Sequence, residues 1–515
     1  MLTARPRLLL LRATWSRYKH TGKMQQPTVQ PPVHRGMHHL DRDAFNTTLT
    51  VLAARLPATR TTQFMQKDAK DYILRLRSVA AVAPDDSQEH RRVLLRTVDR
   101  SALPTDLLET LKRTDASLVE HQVQFGYDYF TSDEILQAVL PEDILDESPT
   151  AFTQVGHIAH VNLREQYLPH KHLIGQVILD KNRTLRTVVN KLDMIDNVYR
   201  NFAMEVLAGD ADFVVEMAEH DCKFRFDFSK VYWNSRLQTE HARLVSTFSP
   251  DDVIVDGFAG VGPFSIPAGK KGCAVLASDL NPASAAALKD NATLNKVERT
   301  VRTSNEDGRD FIRRSVLAVW NEPFPAYVPA LSSRERARRA RAANAAKAAA
   351  KTAPSSPPSS SAAPSPSTSA TPADSLAPLS LDAPAPAASP SSSPAPAPAK
   401  PLRRLPNHYI MNLPASALTF LDAFRGLYRP LYDLVGEAEA QRAIDEAGGL
   451  PVVHCYCFTK EIEKAEEDIC QRATDVLGFK VHPGLDAFAV RFVRDVAPKK
   501  EMYVLEFRLT DEMVR

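Results

Sequence analysis

Cysteines are few in this sequence, and long apolar segments are absent. Its 5 cysteines are scattered over 515 residues, and such a set does not form the disulfide framework of a small secreted protein. Cys455 and Cys457 lie close together, but they predict two buried thiols, because no second cysteine pair lies at metal-ligand spacing. No apolar stretch approaches the roughly 20 residues that cross a bilayer. The sequence therefore predicts neither a structural metal nor a membrane partner.

A large net charge of either sign is also lacking. The formal net charge at pH 7 is +2, so the charge of the whole chain neither supports nor excludes a nucleic-acid partner. A hydrophobic content of 44% suits ordinary soluble cores. The length predicts two or three domains.

Acidic residues are missing from the first 40 positions. Arg5, Arg7, Arg12 and Arg17 alternate there with leucines and Trp15. This acid-free, amphipathic, arginine-rich composition is typical of a mitochondrial transit peptide. The alternative is a basic tail without a targeting function. We predict a targeting leader over residues 1–40.

Two compositional blocks follow the leader. Residues 41–148 show apolar patterns at 45–56 and 69–82 that predict helices, with no chemical motif. Residues 149–247 hold short β-rich runs with many basic residues between them, which suits an RNA-facing sheet or a solvated sheet face. The predicted strands include 161–163, 173–179, 187–189, 213–217 and 222–228.

The remaining block, residues 248–515, alternates short apolar strands with helices and closes with an antiparallel pair. This pattern predicts an α/β fold with a doubly wound, Rossmann-like sheet. Residues 352–400 are almost wholly Pro, Ser and Ala, a composition that cannot bury enough apolar surface to fold. We therefore predict a disordered insertion over 321–404, with a transient helix at 334–351.

A glycine-rich loop, DGFAGVG at 256–262, directly follows the predicted strand at 253–255. Glycines allow a tight turn and the close approach of a ligand. Carboxylates follow three successive strands: Asp256, Asp279 and the pair Glu306–Asp307. At the carboxyl edge of one sheet they suit the ammonium, ribose and adenine of S-adenosylmethionine, whereas Asp256 would repel a dinucleotide pyrophosphate.

A second motif, Asn412-Leu-Pro414, ends the predicted strand at 408–411. Such a turn offers a side-chain amide and carbonyl oxygens to a planar nitrogen base, although ordinary Asn-x-Pro turns also occur. These two motifs, together with VYWNSRLQTEH at 231–241, resemble the eukaryotic and archaeal tRNA guanosine-37 N1-methyltransferase family. Segments 156–164, 173–182 and 188–191 resemble the second domain of that family.

The resemblance implies a class I methyltransferase domain preceded by two smaller α+β domains, the first sensing tRNA shape and the second gripping RNA. It implies an S-adenosylmethionine-dependent enzyme that acts as a monomer on tRNA with guanosine at position 37. It also implies a mitochondrial enzyme with a nuclear and cytoplasmic pool, made by initiation at Met24 or Met37. Arg236, Asn412 and Pro414 match catalytic positions. The residues that match or form the cofactor site are His241, Asp256, Ala259, Gly260, Gly262, Asp279, Leu280, Asp307, Gly308 and Asn412.

The chemistry suits these residues. Methylation of guanine N1 requires loss of its proton while negative charge develops on O6, and the guanidinium of Arg236 would stabilise that charge. Glu240 and Glu306 are the candidates for the general base. The methyl group is carried by a sulfonium, so the reaction needs no metal.

Other functions are compatible with parts of this pattern. A nicotinamide-dependent oxidoreductase would share the glycine-rich loop, but Asp256 and the Asn412 turn argue against it. A non-catalytic RNA-binding protein with a vestigial cofactor fold would not need its intact set of carboxylates. A methyltransferase for another tRNA guanosine or for an exocyclic amine would share every motif.

Overall fold

The computed structural model describes residues 26–66, 69–145, 149–195, 202–329, 333–352 and 402–515. They form an N-terminal, a middle and a larger C-terminal unit, each built on its own principal β-sheet. Apolar cores join the first unit to the second and the second to the third. Within these ranges, no helix is long and apolar enough to span a membrane.

The N-terminal unit is an antiparallel sheet of order β2–β3–β1–β4 with three short helices. Its strands are β1 Thr47–Pro57, β2 Val82–Pro84, β3 His90–Leu94 and β4 Ser117–Phe125, and its helices are α1 Thr61–Phe64, α2 Thr105–Arg113 and α3 Ser132–Val139.

The predicted helix at 45–56 is wrong, because this segment is the central strand β1. Its residues 51–54 are all buried, since β1 is covered on both faces. A strand buried on both faces loses its alternation and cannot be distinguished from a buried helix by periodicity. The helix predicted at 69–82 is also absent from the described residues, which form one 3₁₀ turn at Lys70–Tyr72 and a second turn at residues 77–78, with Ser78 at φ 57°.

The start of the described chain packs against the N-terminal unit. The side-chain amide of Gln26 donates to the carbonyl of Ile73 at 3.2 Å, and Val29, Met37 and Leu40 pack against its core. A leader boundary at residue 40 therefore does not fit the structure. Residues 1–25, which hold the basic part of the predicted leader, lie outside the described residues.

The middle unit is a mixed sheet of order β5–β6–β7–β8, with a separate β9–β10 hairpin and one helix, α4. Its elements are β5 Thr153–Val155, β6 Ile158–Val161, α4 Lys171–Lys181, β7 Thr187–Ile195, β8 Phe202–Gly209, β9 Val214–Glu219 and β10 Cys222–Asp227.

The strand predicted at 173–179 is wrong, because this segment lies within α4. Leu173, Ile174, Val177 and Ile178 are buried at helical spacing on one face. Gly175 brings the helix close to β8, where an added Cβ atom would lie 2.5 Å from the Cβ of Leu207. The apolar run at 173–179 is compatible with a strand or a helix, and its packing against β8 favours the helix.

The C-terminal unit confirms the predicted doubly wound α/β fold. Its seven strands have the order β13–β12–β11–β14–β15–β17–β16, in which β17 is antiparallel to both of its neighbours, β15 and β16. Its first elements are α5 Gln238–Thr247, β11 Val253–Asp256, α6 Ser265–Lys271, β12 Ala274–Ser278, α7 Pro282–Leu294, β13 Val301–Ser304, α8 Gly308–Asn321 and α9 Ser333–Thr352. The others are β14 His408–Met411, α10 Arg429–Val435, α11 Glu437–Glu446, β15 Val452–Thr459, α12 Ala465–Leu477, β16 Ala489–Ala497, β17 Lys500–Arg508 and α13 Asp511–Val514.

The strand order reverses between β11 and β14. The chain runs outward from β11 through β12 to β13, and then returns to the other side of β11 to form β14 and β15. Open α/β sheets bind ligands at such a switch point, outside the carboxyl ends of the strands. The two sequence motifs, at 256–262 and 412–414, both begin there.

The ends of the predicted insertion belong to the fold. Phe324 is fully buried and exchanges backbone hydrogen bonds with Arg403 at 3.0 Å. The guanidinium of Arg403 also donates to three carbonyls, those of Pro250, Gly272 and Pro325. The boundaries at 321 and 404 are therefore corrected inward. Helix α9 covers the segment predicted as a transient helix, and it is exposed wherever its side chains are described. Residues 353–401 lie outside the described residues.

These contacts predict different results for two deletions. Joining Pro329 to Leu402 through a short Gly/Ser linker should leave the free energy of unfolding close to that of the full chain. Joining Glu322 to Arg404 removes Phe324 and Arg403 and should cost about 3–5 kcal/mol, the usual cost of deleting a buried phenylalanine. Denaturant unfolding of the two variants measures the difference, and equal stabilities would contradict the corrected boundaries.

Candidate active site

The glycine-rich loop between β11 and α6 is shaped by two left-handed glycines. Gly260 has φ 55° and Gly262 has φ 99°. A Cβ atom on Gly262 would lie 2.6 Å from Ile266 and 2.7 Å from Leu288, so this glycine allows the loop to pack on two helices. A Cβ atom on Gly260 would meet nothing within 4 Å. The loop backbone at Gly260, next to Ala259, therefore borders open space at the switch point.

Asp279, at the end of β12, fixes this loop. Its carboxylate accepts hydrogen bonds from the backbone N–H of Gly260 at 2.8 Å and from that of Asn281 at 2.9 Å. Burial raises the pKa of Asp279 above its ordinary value. Each carboxylate oxygen can accept a further bond, so Asp279 can support the loop and still bind hydroxyl groups.

Asp256 is buried completely at the end of β11. Its Oδ2 accepts a hydrogen bond from the hydroxyl of Ser265 at 2.7 Å. Its Oδ1 has no hydrogen-bond partner among the described residues. Burial raises the pKa of Asp256 to about 7, and the negative charge of Asp279 adds to this effect. An unsatisfied buried carboxylate of this kind suits a cationic ligand group.

The third acidic position forms the start of α8. Asp307 caps this helix by accepting from the N–H of Arg309 at 2.9 Å. Gly308 lies against the loop, because a Cβ atom there would be 2.7 Å from the ring of Phe258. Leu280 exposes 48% of its surface on the rim of the site, where an apolar ligand face could cover it.

The Asn412-Leu-Pro414 turn lies beside the loop, at the end of β14. The Oδ1 of Asn412 is buried and has no partner among the described residues. The carbonyl of Pro414 accepts from the N–H of Phe458 at 3.0 Å, which holds the turn to the neighbouring strand β15. Arg309 in α8 also bonds to Asp422 in the following 3₁₀ segment, Ala417–Phe424. The turn is thus rigid, and one buried acceptor is left for a ligand.

Arg236 lies in a 3₁₀ turn, Ser235–Leu237, immediately before α5. Its side chain is exposed and faces the middle unit. Burial, together with the positive charges of Lys191 and Arg236, lowers the pKa of His160 to about 4. Burial and the Arg236 charge likewise lower the pKa of Lys191. The guanidinium is therefore part of a positively charged surface between two units.

His241 lies in the first turn of α5. Its ring is buried, and its Nδ1 is hydrogen-bonded to Glu219 of β9 at 2.6 Å. It packs edge-on against Phe264, with 4.7 Å between ring centroids. His241 therefore packs against Phe264 at the start of α6, and its contact with the cofactor stays a prediction.

The two candidate general bases differ in environment. Glu306 forms a two-bond ion pair with Arg314, and these hydrogen bonds lower its pKa, which makes it a weak base. Glu240 accepts from the hydroxyl of Tyr456 at 2.7 Å and makes two bonds to Arg243. Both candidates are thus held in a two-bond ion pair with an arginine, and these contacts do not decide between them. Sequence reasoning missed Tyr456 and Arg243, whose contacts depend on the folded sheet.

Within the described residues, no group of three or more His, Cys, Asp or Glu side chains is placed to hold a metal ion. The site instead combines unpaired buried oxygens, glycines that open the backbone to a ligand and a nearby guanidinium. This combination suits a cationic, ribose-containing cofactor next to a flat polar base.

Comparison with protein families agrees with these motifs. The family model described as the TRM5/TYW2 methyltransferase domain matches residues 215–319, and the TYW2 N-terminal domain matches residues 132–212. Among solved structures, aTrm5 in complex with tRNALeu has a TM-score of 0.52 and 18% identity, covering 89% of this chain and all of its own. Trm5b from Pyrococcus abyssi has a TM-score of 0.50 and 19% identity, with 89% and 99% coverage. These two structures share the fold.

Curated relatives extend the likeness over nearly the whole chain. The tRNA (guanine(37)-N(1))-methyltransferase of Coprinopsis cinerea is 43% identical over 94% of this chain and 97% of its own length. The enzyme of the same name from Saccharomyces cerevisiae is 37% identical, with 93% and 94% coverage. Identities this high over full length confirm the resemblance: this chain belongs to the tRNA (guanine(37)-N(1))-methyltransferase family.

Proposed function

We propose that this protein transfers the methyl group of S-adenosylmethionine to N1 of guanosine 37 in tRNA. The observation that carries the proposal is the meeting of Asp256, Asp279 and Asn412 at the switch point of one sheet, two of them with unsatisfied buried oxygens. The family membership of the chain supports it, since the curated relatives carry this activity in their names.

In this proposal the loop residues hold the cofactor. Asp256 receives the ammonium group, and the free lone pairs of Asp279 accept from the ribose hydroxyls. Asp307, Gly308 and Leu280 border the adenine, while Ala259, Gly260 and Gly262 let the backbone approach. When bound, S-adenosylmethionine supplies an electrophilic methyl group on its sulfonium.

The remaining residues act on the guanine. Asn412 and the carbonyls around Pro414 hold the edge of the base in the plane that exposes N1. A carboxylate, for which Glu240 and Glu306 are the candidates, takes the N1 proton, and Arg236 stabilises the negative charge that develops on O6. The basic surface that includes Lys191 contacts the phosphates nearby. We also propose that the protein acts as a monomer, which sedimentation of the purified protein would test.

The raised pKa of Asp256 predicts a pH-dependent affinity. In the free protein Asp256 stabilises the fold as a neutral acid below about pH 4, and this contribution is lost as pH rises through about 7. A bound ammonium favours the carboxylate, so S-adenosylmethionine should bind more tightly as pH rises from about 6 to 7.5, with release of a proton. Above about pH 8 an α-amino group loses its own charge, which limits the window.

Calorimetry in two buffers of different ionisation enthalpy measures this proton release. The Asp256→Asn variant should bind S-adenosylmethionine more weakly and release no proton on binding. The control Asp307→Asn also removes one negative charge, on the adenine side of the site, and should still release the proton. A wild-type affinity that does not change between pH 6 and 7.5 would remove Asp256 from the ammonium site.

The acid-free N-terminus supports a second part of the proposal, the location of the protein. We propose that the leader directs it to the mitochondrial matrix, and that initiation at Met24 or Met37 supplies a nuclear and cytoplasmic pool. Because residues 26–40 pack on the N-terminal unit, residues 1–25 should be enough to target a reporter. A reporter that stays in the cytosol would refute the proposed mitochondrial targeting.

The function itself is tested with purified protein and two tRNA transcripts that differ only at position 37. A transcript with guanosine 37 should accept a labelled methyl group, and nuclease digestion should yield 1-methylguanosine. The transcript with adenosine 37 should accept none. Methylation of both transcripts, or a product methylated on an exocyclic amine, would show a different target.

A further inference from the structure

Helix α9, Ser333–Thr352, carries a strong positive charge that the proposed function does not use. It contains five arginines and two lysines but only one acidic residue, Glu335. The formal net charge is +6 for this helix and +2 for the whole chain, so the remaining residues sum to −4. One helix therefore gives a protein with an otherwise slightly negative balance its most basic segment.

The arginines of α9 are exposed and are not matched by carboxylates. They are Arg334, Arg336, Arg338, Arg339 and Arg341, and every side chain described between residues 333 and 345 is exposed. Arg336 donates to the hydroxyl of Ser333 at 3.3 Å. In the described part of the chain, none of the five forms an ion pair with a carboxylate. Exposed arginines of the folded units do, as Arg42 does with Asp180. The charge of α9 is thus available to an anionic partner.

Three of these arginines share one side of the helix. Arg334, Arg338 and Arg341 follow the i, i+4, i+7 spacing that repeats on one helical face. With a rise of about 1.5 Å per residue, they form a row roughly 10 Å long. A guanidinium binds phosphate oxygens through two parallel hydrogen bonds. The row therefore suits a partner that presents several phosphates in series.

The composition of α9 distinguishes between the classes of anionic partner. Apart from alanine, residues 333–352 contain no apolar side chain. A helix that lies on a membrane surface needs leucine, phenylalanine or tryptophan opposite its charged face. A helix that docks into a protein groove needs apolar anchors at helical spacing. Because α9 has neither, its binding free energy has to come from charge, as it does when proteins bind the backbone of a nucleic acid.

The root of α9 lies at the edge of the sheet opposite the candidate active site. The guanidinium of Arg403, which pairs with Phe324 across the insertion, bonds to the carbonyls of Pro250 and Gly272, just before β11 and β12. The carboxyl ends of these strands form the site. Helix α8 connects the two edges with 14 residues, about 21 Å. A contact made through α9 should therefore change the affinity for RNA rather than the methyl-transfer step.

We propose that α9 is an auxiliary RNA-binding helix whose row of arginines contacts the phosphate backbone of the tRNA, away from the methylated guanosine. The inference rests on the proposed function only for the identity of the RNA. Contacts of this kind do not depend on base sequence. They release counterions from the nucleic acid, so they weaken steeply as the salt concentration rises.

The test is the salt dependence of tRNA binding, measured without cofactor by filter binding. The variant combines Arg334→Gln, Arg338→Gln and Arg341→Gln, because glutamine removes the charge and favours a helix nearly as well as arginine. The slope of the logarithm of the binding constant against that of the salt concentration should become shallower by about 2 to 3. The dissociation constant near about 0.1 M salt should rise at least about tenfold. The single-turnover methylation rate at saturating tRNA should stay within about twofold of wild type.

Two control variants separate a local contact from a general effect of charge. Replacing the same three arginines by lysine keeps the charge and should keep most of the affinity. The combination of Arg442→Gln, Lys464→Gln and Lys480→Gln removes three exposed cations elsewhere on the C-terminal unit, two of which already pair with Glu439 and Glu467. Its slope should stay close to that of wild type. An unchanged slope in the α9 glutamine variant, an equal change in the control, or a lysine variant as weak as the glutamine variant would overturn the proposal.

Vesicles that contain phosphatidylserine provide a second probe. Binding of the wild-type chain to them through α9, with a tRNA slope that the glutamine variant does not change, would assign the helix to a membrane surface and refute the RNA contact. The inference and the proposed function fail separately. Methylation of guanosine 37 with an unchanged slope would refute only the inference, whereas binding of tRNA through α9 without methylation of guanosine 37 would refute only the proposed function.

Discussion

Replacing Arg236 by alanine should lower single-turnover methylation by roughly 10²–10³-fold, the usual scale for loss of one preorganised charge-stabilising donor. The guanidinium does its work on charge that develops at guanine O6, so the loss appears in the transition state and little in the ground state. Binding of S-adenosylmethionine should not change, because Arg236 lies outside the glycine-rich loop. Binding of tRNA should fall by at most about tenfold, since other basic residues contact the backbone.

Two further variants separate this role from a simple phosphate contact. Arg236→Lys should recover only part of the rate, because a point charge lacks the planar fork of the guanidinium. Arg494 is the matched control, since its guanidinium reaches Asn234, close to Arg236, at 3.5 Å. Arg494→Ala should weaken tRNA binding in a salt-dependent way and keep the rate at saturating tRNA. The same pattern in Arg236→Ala would show that Arg236 only binds a phosphate.

Replacing Asn412 by alanine should lower the methylation rate by roughly 10²-fold, a loss of the size seen for one well-placed side-chain amide. The folded state should not suffer, because Oδ1 of Asn412 has no partner among the described residues and removing an unsatisfied buried group costs little. Single-turnover rates and denaturant unfolding of the same variant measure both effects. A large loss of stability with a nearly normal rate would make Asn412 a structural residue.

The Asn407→Ala variant serves as a control of the same residue type, for which we expect a loss of stability rather than a loss of the methylation rate. The side chain of Asn407 accepts from the N–H of Val253 and donates to the carbonyl of Ala447, both at 2.8 Å. Asn407→Ala should therefore lower stability by about 1–3 kcal/mol, the cost of leaving buried partners unpaired. The two asparagines thus separate a satisfied, structural amide from an unsatisfied, functional one.

The edge of the C-terminal sheet was predictable from the sequence because its signals are local. Strand β11 ends at Asp256, β12 ends directly before Asp279, and β13 ends two residues before Glu306. Strand β14 ends directly before Asn412. Parallel strands place such residues together at one edge. The loop conformation followed from glycine positions, two of which adopt left-handed backbone angles.

The errors occur where burial removes periodicity. The centre of strand β1 and the run at 173–179 in helix α4 are both almost wholly apolar, and short apolar runs of a buried strand and a buried helix look alike in sequence. Only pairing with β3 and β4, or packing against β8, decides between them. The insertion ends were misplaced because the contacts of Phe324 and Arg403 join positions far apart in the chain.

Long-range partners also explain what was missed in the site. The ring of His241 is hydrogen-bonded to Glu219 of β9, a partner that no local pattern in the 231–241 segment indicates. No local pattern indicates the hydrogen bond between Tyr456 and Glu240, which joins residues 216 positions apart in the sequence. Residues that act through a neighbour become visible only in the folded sheet.

The central claim is most directly tested by mass mapping of tRNA from cells that lack this protein. Transfer RNAs with guanosine 37 should lose 1-methylguanosine at that position and no other modified guanosine. Expression of the wild-type chain should restore it, and the Arg236→Ala variant at equal abundance should not. Full 1-methylguanosine at position 37 without the protein, or its loss at another guanosine, would contradict the account.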